Sequence, residues 1–473
     1  MLKFEKLDKG RLEPLMPYFA ANHNHLSDFS LGFQYMWSRY LKPDYTFAGN
    51  CLIIRELYAG KYYFHYPISM SGNEAEEDAA IDEIERFCRD TDLRLHYTNV
   101  PRANVARLML RYGREVTVTN ARRWRDYLYH ADDFKNFAGG KYAGQRNHVN
   151  KFLKNYPNWS FRTYSEPDYP ALVAFLKEYE TVQKSKHSFL AVEEMDEVYD
   201  LLPNIGRLGM YCGLLLVGDK IVGCSVGERC GDMVVVHVEK ALREYEGASP
   251  MLAQQFARAF CGEGVEYLNR MDDAGDGGLR KSKLQYLPCE IVDKYNVLPK
   301  RAIDGVSKLP TLQTERLLLS PVRDSDAEEY ANLASDVERN RFWGYDWRED
   351  CKETPAADYF LKLARGDFKA KREMPVGIYA DGRLVGEVVL HRFGYRDEAE
   401  IGVRLLPEAE GNGYAKEAVE GYARYAFLTL GLERVEAKCF HENARSRKML
   451  LSAGLHPCGE DEIYYYFYKS PSM

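Results

Sequence analysis

"PEAEGNGYAKEAV", residues 407–419, sets two glycines one residue apart directly before a run that reads as helix. The stretch ahead of it, "AEIGVRLL", alternates and is β-branched enough to read as strand. A glycine turn between strand and helix has three readings: a phosphate site, a dinucleotide site, or a plain connection. A dinucleotide fingerprint needs a small residue three positions after its second glycine, so that helix and sheet pack closely. That place holds Lys416, and no acid ends a following strand about twenty positions on. The phosphate reading fits better. Gly411 to Ala415 leave backbone N–H groups at a helix start, where donors and dipole attract anions. Glycine lets an anion approach with no side chain in the way. On this stretch alone, the phosphate site and the plain turn stay level.

The chain around it has 473 residues, a length that predicts roughly three domains. Hydrophobic content of 45% beside 29% charged residues is that of a folded, soluble protein. The net charge of −7 argues against bulk binding to nucleic acid or anionic membrane, although a local basic groove stays open. No apolar run reaches the roughly 18 residues of a membrane span. The start, "MLKFEKLDKGRLEPL", carries charges where a signal peptide needs its apolar stretch. Ten cysteines are scattered singly with no C-x-x-C pair, so no metal site or disulfide framework is expected. They read as reduced, buried thiols of a cytoplasmic protein.

A Pro-, Gly- and charge-rich stretch near Gly305–Pro310 reads as a linker. Beyond it, "TERLLLSPV" reads as a first strand. "PVGIYADGRLVGEVVLHRF" follows as two strands around Ala-Asp-Gly, the strongest short hairpin signal in the chain. The element order fits a compact α+β domain of about 165 residues. Before the linker, a strand series from "LGMYCGLLLVG" to "VVVHVEKA", the helix "SPMLAQQFARAF" and the strand "VEYLNRM" repeat that order. An internal structural repeat is expected, with no visible sequence repeat.

The opening stretch resembles the acyl-CoA-binding motif of the GNAT acetyltransferase superfamily, Q/R-x-x-G-x-G/A before a helix carrying Glu-Ala. Here it runs from Glu408 through Gly411 and Gly413 to Glu417-Ala418. Further on, "CFHENARSRKMLLSAGL" resembles the second motif, an Asn opening a helix that ends in Gly-Phe, with Gly454-Leu455 in that place. "LQTERLLLSPV" is similar to the opening of the ribosomal-protein-type N-acetyltransferases. The resemblance implies transfer of acetyl from acetyl-CoA to a primary amine, on a small molecule or a protein N-terminus. It implies a strand that splays from its neighbour, with Ile401 and Val403 along the cofactor arm. Gly411, Asn412, Gly413, Tyr414, Ala415 and Asn443 complete the implied cofactor site. The acceptor ammonium must lose a proton before it can attack. Glu400 is the candidate base, against the reading of a solvated strand-edge carboxylate. Ser446 is the candidate donor to the leaving thiolate, against the reading of a hydroxyl bonded to helix backbone. Two residues depart from the motifs: Glu408 stands where Gln or a cation is expected, and Leu450 where many members keep a tyrosine acid.

In the first 300 residues, "NRMDDAGDGGLRKSK" gathers glycines, acids and cations in one loop, a composition suited to a phosphate or carboxylate and equally to a salt-bridged surface loop. "VHVEKA", followed by Gly247-Ala-Ser, is a degenerate echo of the opening turn. With "SDFSLGFQYMW", "DYLY" and "KYAGQRNHVNKF", these stretches resemble the phosphatidylglycerol lysyltransferase C-terminal-like family over residues 3–298. The resemblance implies a tandem of GNAT-like folds and a substrate site at His237, Glu239, Lys240, Asn269, Arg270, Asp272, Asp273, Arg280 and Lys283. Relatives move an amino acid from aminoacyl-tRNA to a lipid or peptide.

The expected whole is α+β: three GNAT-like folds, each a mixed, mostly antiparallel sheet flanked by helices. Residues 1–130 and 131–300 form the tandem pair, 301–310 the linker and 311–473 the GNAT domain. The expected function is a bifunctional acyltransferase whose N-terminal module uses an unknown acyl or aminoacyl donor. The alternatives are an aminoacyl-tRNA-dependent transferase with a regulatory GNAT domain, or a CoA- or ligand-binding protein without catalysis. Aminoacyl-tRNA binding would place phosphates along the basic helix from Lys141 to Lys154, against the reading of a solvated cationic face. Acceptor specificity is expected in the loops Phe342–Thr354 and Gly394–Glu398.

Overall fold

A computed structural model describes residues 2–21, 24–113, 116–183, 189–343, 346–351, 353 and 355–471, without the side chains of 182–193, 338 and 339. The chain divides into two compact units. One comprises residues 1–84, 95–109 and 117–298, the other 85–94, 110–116 and 299–473. Three mixed sheets with flanking helices carry the fold, and the expected structural repeat is present.

The first sheet runs, in spatial order, Glu5–Lys6, Asp44–Ala48, Cys51–Tyr58, Lys61–His65, Tyr97–Val100, Tyr295–Pro299, Val116–Asn120. The second runs Glu290–Val292, Asp126–His130, Tyr267–Asn269, Met233–Ala241, Lys220–Cys230, Tyr211–Val217, Trp159–Thr163. The third runs Leu312–Gln313, Leu317–Ser320, Met374–Ala380, Arg383–His391, Glu398–Leu405, Arg434–Phe440, Tyr464–Lys469, His456–Glu460.

Local chemistry explains the hairpins. Asp381 and Gly382 both take positive φ, +48° and +80°, the backbone of a type I′ turn whose twist suits the strands it joins. Alternation then sorts the faces of the third sheet. Val376, Ile378, Val388, Leu390, Ile401 and Val435 pack with Ala418, Val419 and Tyr422 of the helix Tyr414–Leu428. The opposite face holds a smaller cluster around Tyr330, Leu333, Phe360 and Tyr379. In the second sheet, Val222, Val234 and Val236 bury against Met251, Leu252 and Phe256 of the helix Ala248–Phe260.

Each sheet contains the same break. A strand pairs antiparallel with the one before it and, for two or three residues only, parallel with the one after the crossover helix. These rungs are Phe64↔Tyr97 and His65↔Thr98; Met233↔Tyr267 to Val235↔Asn269; and Glu398↔Arg434 to Glu400↔Glu436. Beyond the last rung the two strands separate, opening one edge of the backbone.

Candidate active site

In the third sheet, Glu398–Leu405 stays paired with Arg383–His391 from His391↔Glu400 to Gly386↔Leu405, while its other neighbour has already left. Ile401 and Val403 therefore lie on a strand with an open edge, as the site expected from the sequence requires. Gly411 and Gly413 have φ of +82° and +80°, and Gly413 caps the helix Tyr414–Leu428. The space over them is clear: a Cβ on Gly411 would meet nothing within 4 Å, and one on Gly413 only Arg316 Nη2 at 3.4 Å. Asn412 folds its amide back onto the carbonyl of Ala409, at 3.2 Å, and braces the turn. Tyr414 and Ala415 form the first helical turn, half buried.

Arg316 escaped the sequence reading. Its Nη1 donates to Asn412 O at 2.9 Å, its Nε to Glu417 Oε2 at 2.8 Å, and its guanidinium lies 5.1 Å from the Tyr414 ring. Thr314 Oγ and the Arg316 amide donate to the other Glu417 oxygen. Burial opposes ionisation of Glu417, but these donors outweigh it and hold the carboxyl below its usual range. The turn thus has a cation beside it, supplied by the connection between Leu312–Gln313 and Leu317–Ser320 rather than by position 408. Glu408 itself is exposed, and the neighbouring Glu410 pairs with Arg445 at 2.9 Å.

Asn443 caps the helix Ala444–Ser452 by accepting from the Ser446 amide at 3.0 Å. Ser446 Oγ makes no hydrogen bond among the described residues, so the reading of a backbone-bonded hydroxyl does not apply. Leu450 is core, 3% exposed. Glu400 is not a solvated edge carboxylate. It is 16% exposed and faces Arg392 Nε at 3.3 Å, Lys438 Nζ at 3.6 Å and His391 Nε2 at 3.7 Å. A cavity of about 370 Å³ lies beside it, lined in part by Arg392, Glu436, Lys438 and Tyr466. On the same face, Trp343 comes within 3.4 Å of a Cβ placed on Gly402, and Arg404 stacks on that indole and pairs with the buried Glu387 at 2.7 Å. Of the acceptor loop Phe342–Thr354, residues Gly344, Tyr345, Lys352 and Thr354 lie outside the described residues.

The equivalent turns of the other sheets suit an anion less well. Gly247, φ +87°, caps Ala248–Phe260 as Gly413 caps its helix. A Cβ there would lie 2.2 Å from His148 O and 3.0 Å from Phe152 Cβ. The helix Ala143–Asn155 therefore sits on the turn. In the first sheet the crossover helix Glu74–Asp90 begins with Glu74, Glu76 and Glu77, which repel an anion.

The residues expected to bind substrate in this unit gather only in part. Asn269, Arg270, Asp272, Asp273, Arg280 and Lys283 surround one turn, with Glu239 joined through Arg270 at 2.6 Å. They are largely satisfied by protein. Arg270 lies 4.6 Å from the Tyr286 ring. Asp273 holds Arg280 at 2.8 Å, Arg122 at 3.3 Å and Tyr127 Oη at 2.6 Å. Lys283 is buried and donates to Met271 O at 3.2 Å; burial, with Arg270 adding, lowers its ammonium to about 8. Asn269 Nδ2 donates to Asp126 at 3.1 Å. His237 and Lys240 stand apart, paired with Glu228 and Glu194, each at 2.8 Å. Along the basic helix, Lys141 pairs with Asp133 and Lys151 with Glu246, both at the exposed surface. What the sequence reading missed is Lys294. It is buried among Asp28, Asp126 at 2.9 Å and Asp272 at 3.8 Å, with Ser27 Oγ at 3.2 Å. Asp28 and Asp126 belong to the stretches "SDFSLGFQYMW" and "DYLY", but "VDKY" carries no signal for their partner.

Residues 19–298 match the family model described as phosphatidylglycerol lysyltransferase, C-terminal. The chain belongs to that family. Residues 316–456 match the acetyltransferase (GNAT) domain, and the chain is a GNAT-family acyltransferase. The uncharacterised N-acetyltransferase YoaA of Bacillus subtilis (strain 168) is 30% identical over 165 residues, 34% of this chain and 92% of that protein. An Aspergillus fumigatus protein named FsC-acetyl coenzyme A-N(2)-transacetylase is 36% identical over 161 residues, 31% of this chain and 65% of that protein. For the fold of the N-terminal part, a conserved protein of unknown function from Bacteroides thetaiotaomicron VPI-5482 superposes with a TM-score of 0.59 at 23% identity, over 63% of this chain and all of that one. Among the described residues no helix is long and apolar enough to cross a membrane.

Proposed function

We propose that the C-terminal GNAT domain transfers acetyl from acetyl-CoA to a primary amine. We propose also that the N-terminal tandem module acts on a donor that is not a CoA thioester. One contrast carries both statements: the last of the three equivalent strand–turn–helix units has two left-handed glycines under clear space with Arg316 beside them, whereas His148 and Phe152 crowd Gly247 and three glutamates open the helix Glu74–Asp90. Backbone donors from Gly411 to Ala415, together with Arg316, suit the pyrophosphate, and Ile401 and Val403 offer the open strand edge to the pantetheine arm. Acetyl-CoA supplies the activated acyl group. The protein aligns donor and acceptor, Glu400 lies beside the cavity, and Ser446 is the candidate donor to the leaving thiolate. For the N-terminal module, the helix over Gly247 favours an aminoacyl donor held elsewhere, with the turn around Asn269–Lys283 as its site.

The test is thiol release from acetyl-CoA by the full chain, with spermidine and a seryl-initiated hexapeptide as acceptors. Amine-dependent release that Gly413→Glu abolishes supports the reading. Failure of the unaltered protein to bind acetyl-CoA in calorimetry sinks it.

A further inference from the structure

Each sheet carries a histidine and a glutamate nine positions apart, on the splayed strand and the strand before it: Glu56 and His65, Glu228 and His237, His391 and Glu400. Their Nε2–Oε1 distances are 2.6, 2.8 and 3.7 Å. In the first two sheets the pair crosses the hairpin diagonally. In the third, His391 and Glu400 are direct partners on the last rung before the splay.

The copies differ in access. The side chains of His65 and His237 are 1% and 0% exposed, against 24% for His391. His237 is walled in by Gly32, where a Cβ would lie 2.4 Å from its Nε2. Its glutamate also receives the Leu31 and Gly32 amides, at 3.3 and 2.5 Å. A His–Glu pair is therefore sealed into structure twice, with the histidine on the splayed strand; in the third sheet the two residues exchange strands. Of the three, only this pair is open, and it belongs to the sheet with the double-glycine turn.

We infer that His391 is the proton acceptor of the C-terminal site and Glu400 its positioning residue, an assignment that rests on the acetyl-transfer reading above. Glu400 alone is poorly suited to the task. Arg392 and Lys438 sit within 3.6 Å of it, so its oxygens already face two cations of the protein. The charged groups around His391 are Glu400 on the facing strand, Lys438 on the strand beyond and Arg392 at the end of its own, itself paired with Asp90 of the segment 85–94. Burial holds the imidazole below its usual pKa; Glu400 opposes this, and Arg392 and Lys438 add to it. His391 is then neutral at pH 7. Glu400 faces Nε2 at 3.7 Å, and its closing to hydrogen-bond distance would favour the tautomer protonated there and leave Nδ1 to accept.

The step balances as follows. Nδ1 takes one proton from the acceptor ammonium, and the freed nitrogen pair forms the C–N bond to the acetyl carbonyl carbon. The C–S bond breaks with its electrons leaving on sulfur. The second nitrogen proton replaces the one that sulfur takes from Ser446 or water, and the proton on His391 passes to solvent.

The experiment uses the full chain and acetyl-CoA, with water, spermidine and a seryl-initiated hexapeptide as acceptors, so that thiol release is readable even when neither amine reacts. His391→Gln should lower kcat about 100-fold while leaving calorimetric acetyl-CoA affinity within twofold. The acidic limb of the pH–rate profile should lie below pH 6.5, shift lower in Glu400→Gln and disappear in His391→Gln. Imidazole should restore part of the rate to His391→Ala. An NMR titration of the unliganded protein should give the same order of midpoints for the His391 ring. A His391→Gln protein within threefold of the parent, or a limb that survives in it and vanishes in Glu400→Gln, overturns the assignment and makes Glu400 the base. Absence of acetyl-CoA binding in the parent protein overturns instead the acetyl-transfer reading beneath it.

Discussion

Gly247 and Gly413 have nearly the same backbone, φ +87° and +80°, at the start of equivalent helices, yet they predict opposite phenotypes. Alanine in the left-handed region costs about 1–2 kcal/mol. At 247 the added methyl would also lie 2.2 Å from the His148 carbonyl oxygen, an overlap that backbone must relieve at a further cost of about 1–3 kcal/mol. Gly247→Ala should thus remove about 2–5 kcal/mol from its unit, roughly 4–20 °C at about 2–4 °C per kcal/mol. Its response to acetyl-CoA should be intact. At 413 there is room for a side chain, and the loss falls on the ligand. Saturating acetyl-CoA at about a hundred times its Kd adds about 2.7 kcal/mol, or roughly 5–11 °C, to the transition of the C-terminal unit. Gly413→Glu places a carboxylate among the anion donors and should erase that rise. The assay is differential scanning calorimetry of the full chain with and without acetyl-CoA. A Gly247→Ala protein that melts like its parent would refute the plugged turn, and a ligand-induced rise that persists in Gly413→Glu would refute the open one.

Arg316→Ala removes the cation beside the turn together with a charge-assisted bond to Glu417, and should weaken acetyl-CoA binding about tenfold by calorimetry; an unchanged affinity would show that backbone donors alone suffice. Lys294→Met leaves Asp28 and Asp126 buried without their cation, at a cost of about 3–5 kcal/mol. A urea midpoint equal to that of the parent would contradict this. Burial raises the Asp28 carboxyl to about 6, Lys294 opposing and Asp126 adding. The folded state then binds this proton more tightly than the unfolded chain does, so stability falls as pH climbs from about 4 to 6 and stays lower above. Asp28→Asn should therefore match the parent near pH 4 and melt several degrees higher at pH 7.5. A gap that does not change with pH would count against the shift.

What the sequence disclosed follows the range of each interaction. Asp381-Gly382 announces its hairpin because the turn's φ values are a local demand, and Gly411-Asn-Gly413 announces its turn for the same reason. Glu408 reads as a defect from the motif alone, because Arg316 reaches the turn from about ninety positions earlier. The glycine-rich loop gave no hint that Arg122 and Tyr127 join Arg280 on Asp273, because both come from about 150 positions earlier in the chain. His391 is one histidine at a strand end until the register sets it opposite Glu400 at the splay.

The first sheet is closed by Tyr295–Pro299, which lies between Tyr97–Val100 and Val116–Asn120. During synthesis the edge at Val100 therefore waits for about two hundred further residues before its partner exists, roughly 10–40 s at about 5–20 residues per second. Throughout that interval the nascent chain presents an unpaired strand of the kind that recruits other strands. Translation speed and chaperone supply, more than final stability, should then govern the yield of this protein. A ribosome stalled before residue 295 would hold a first domain that cannot close.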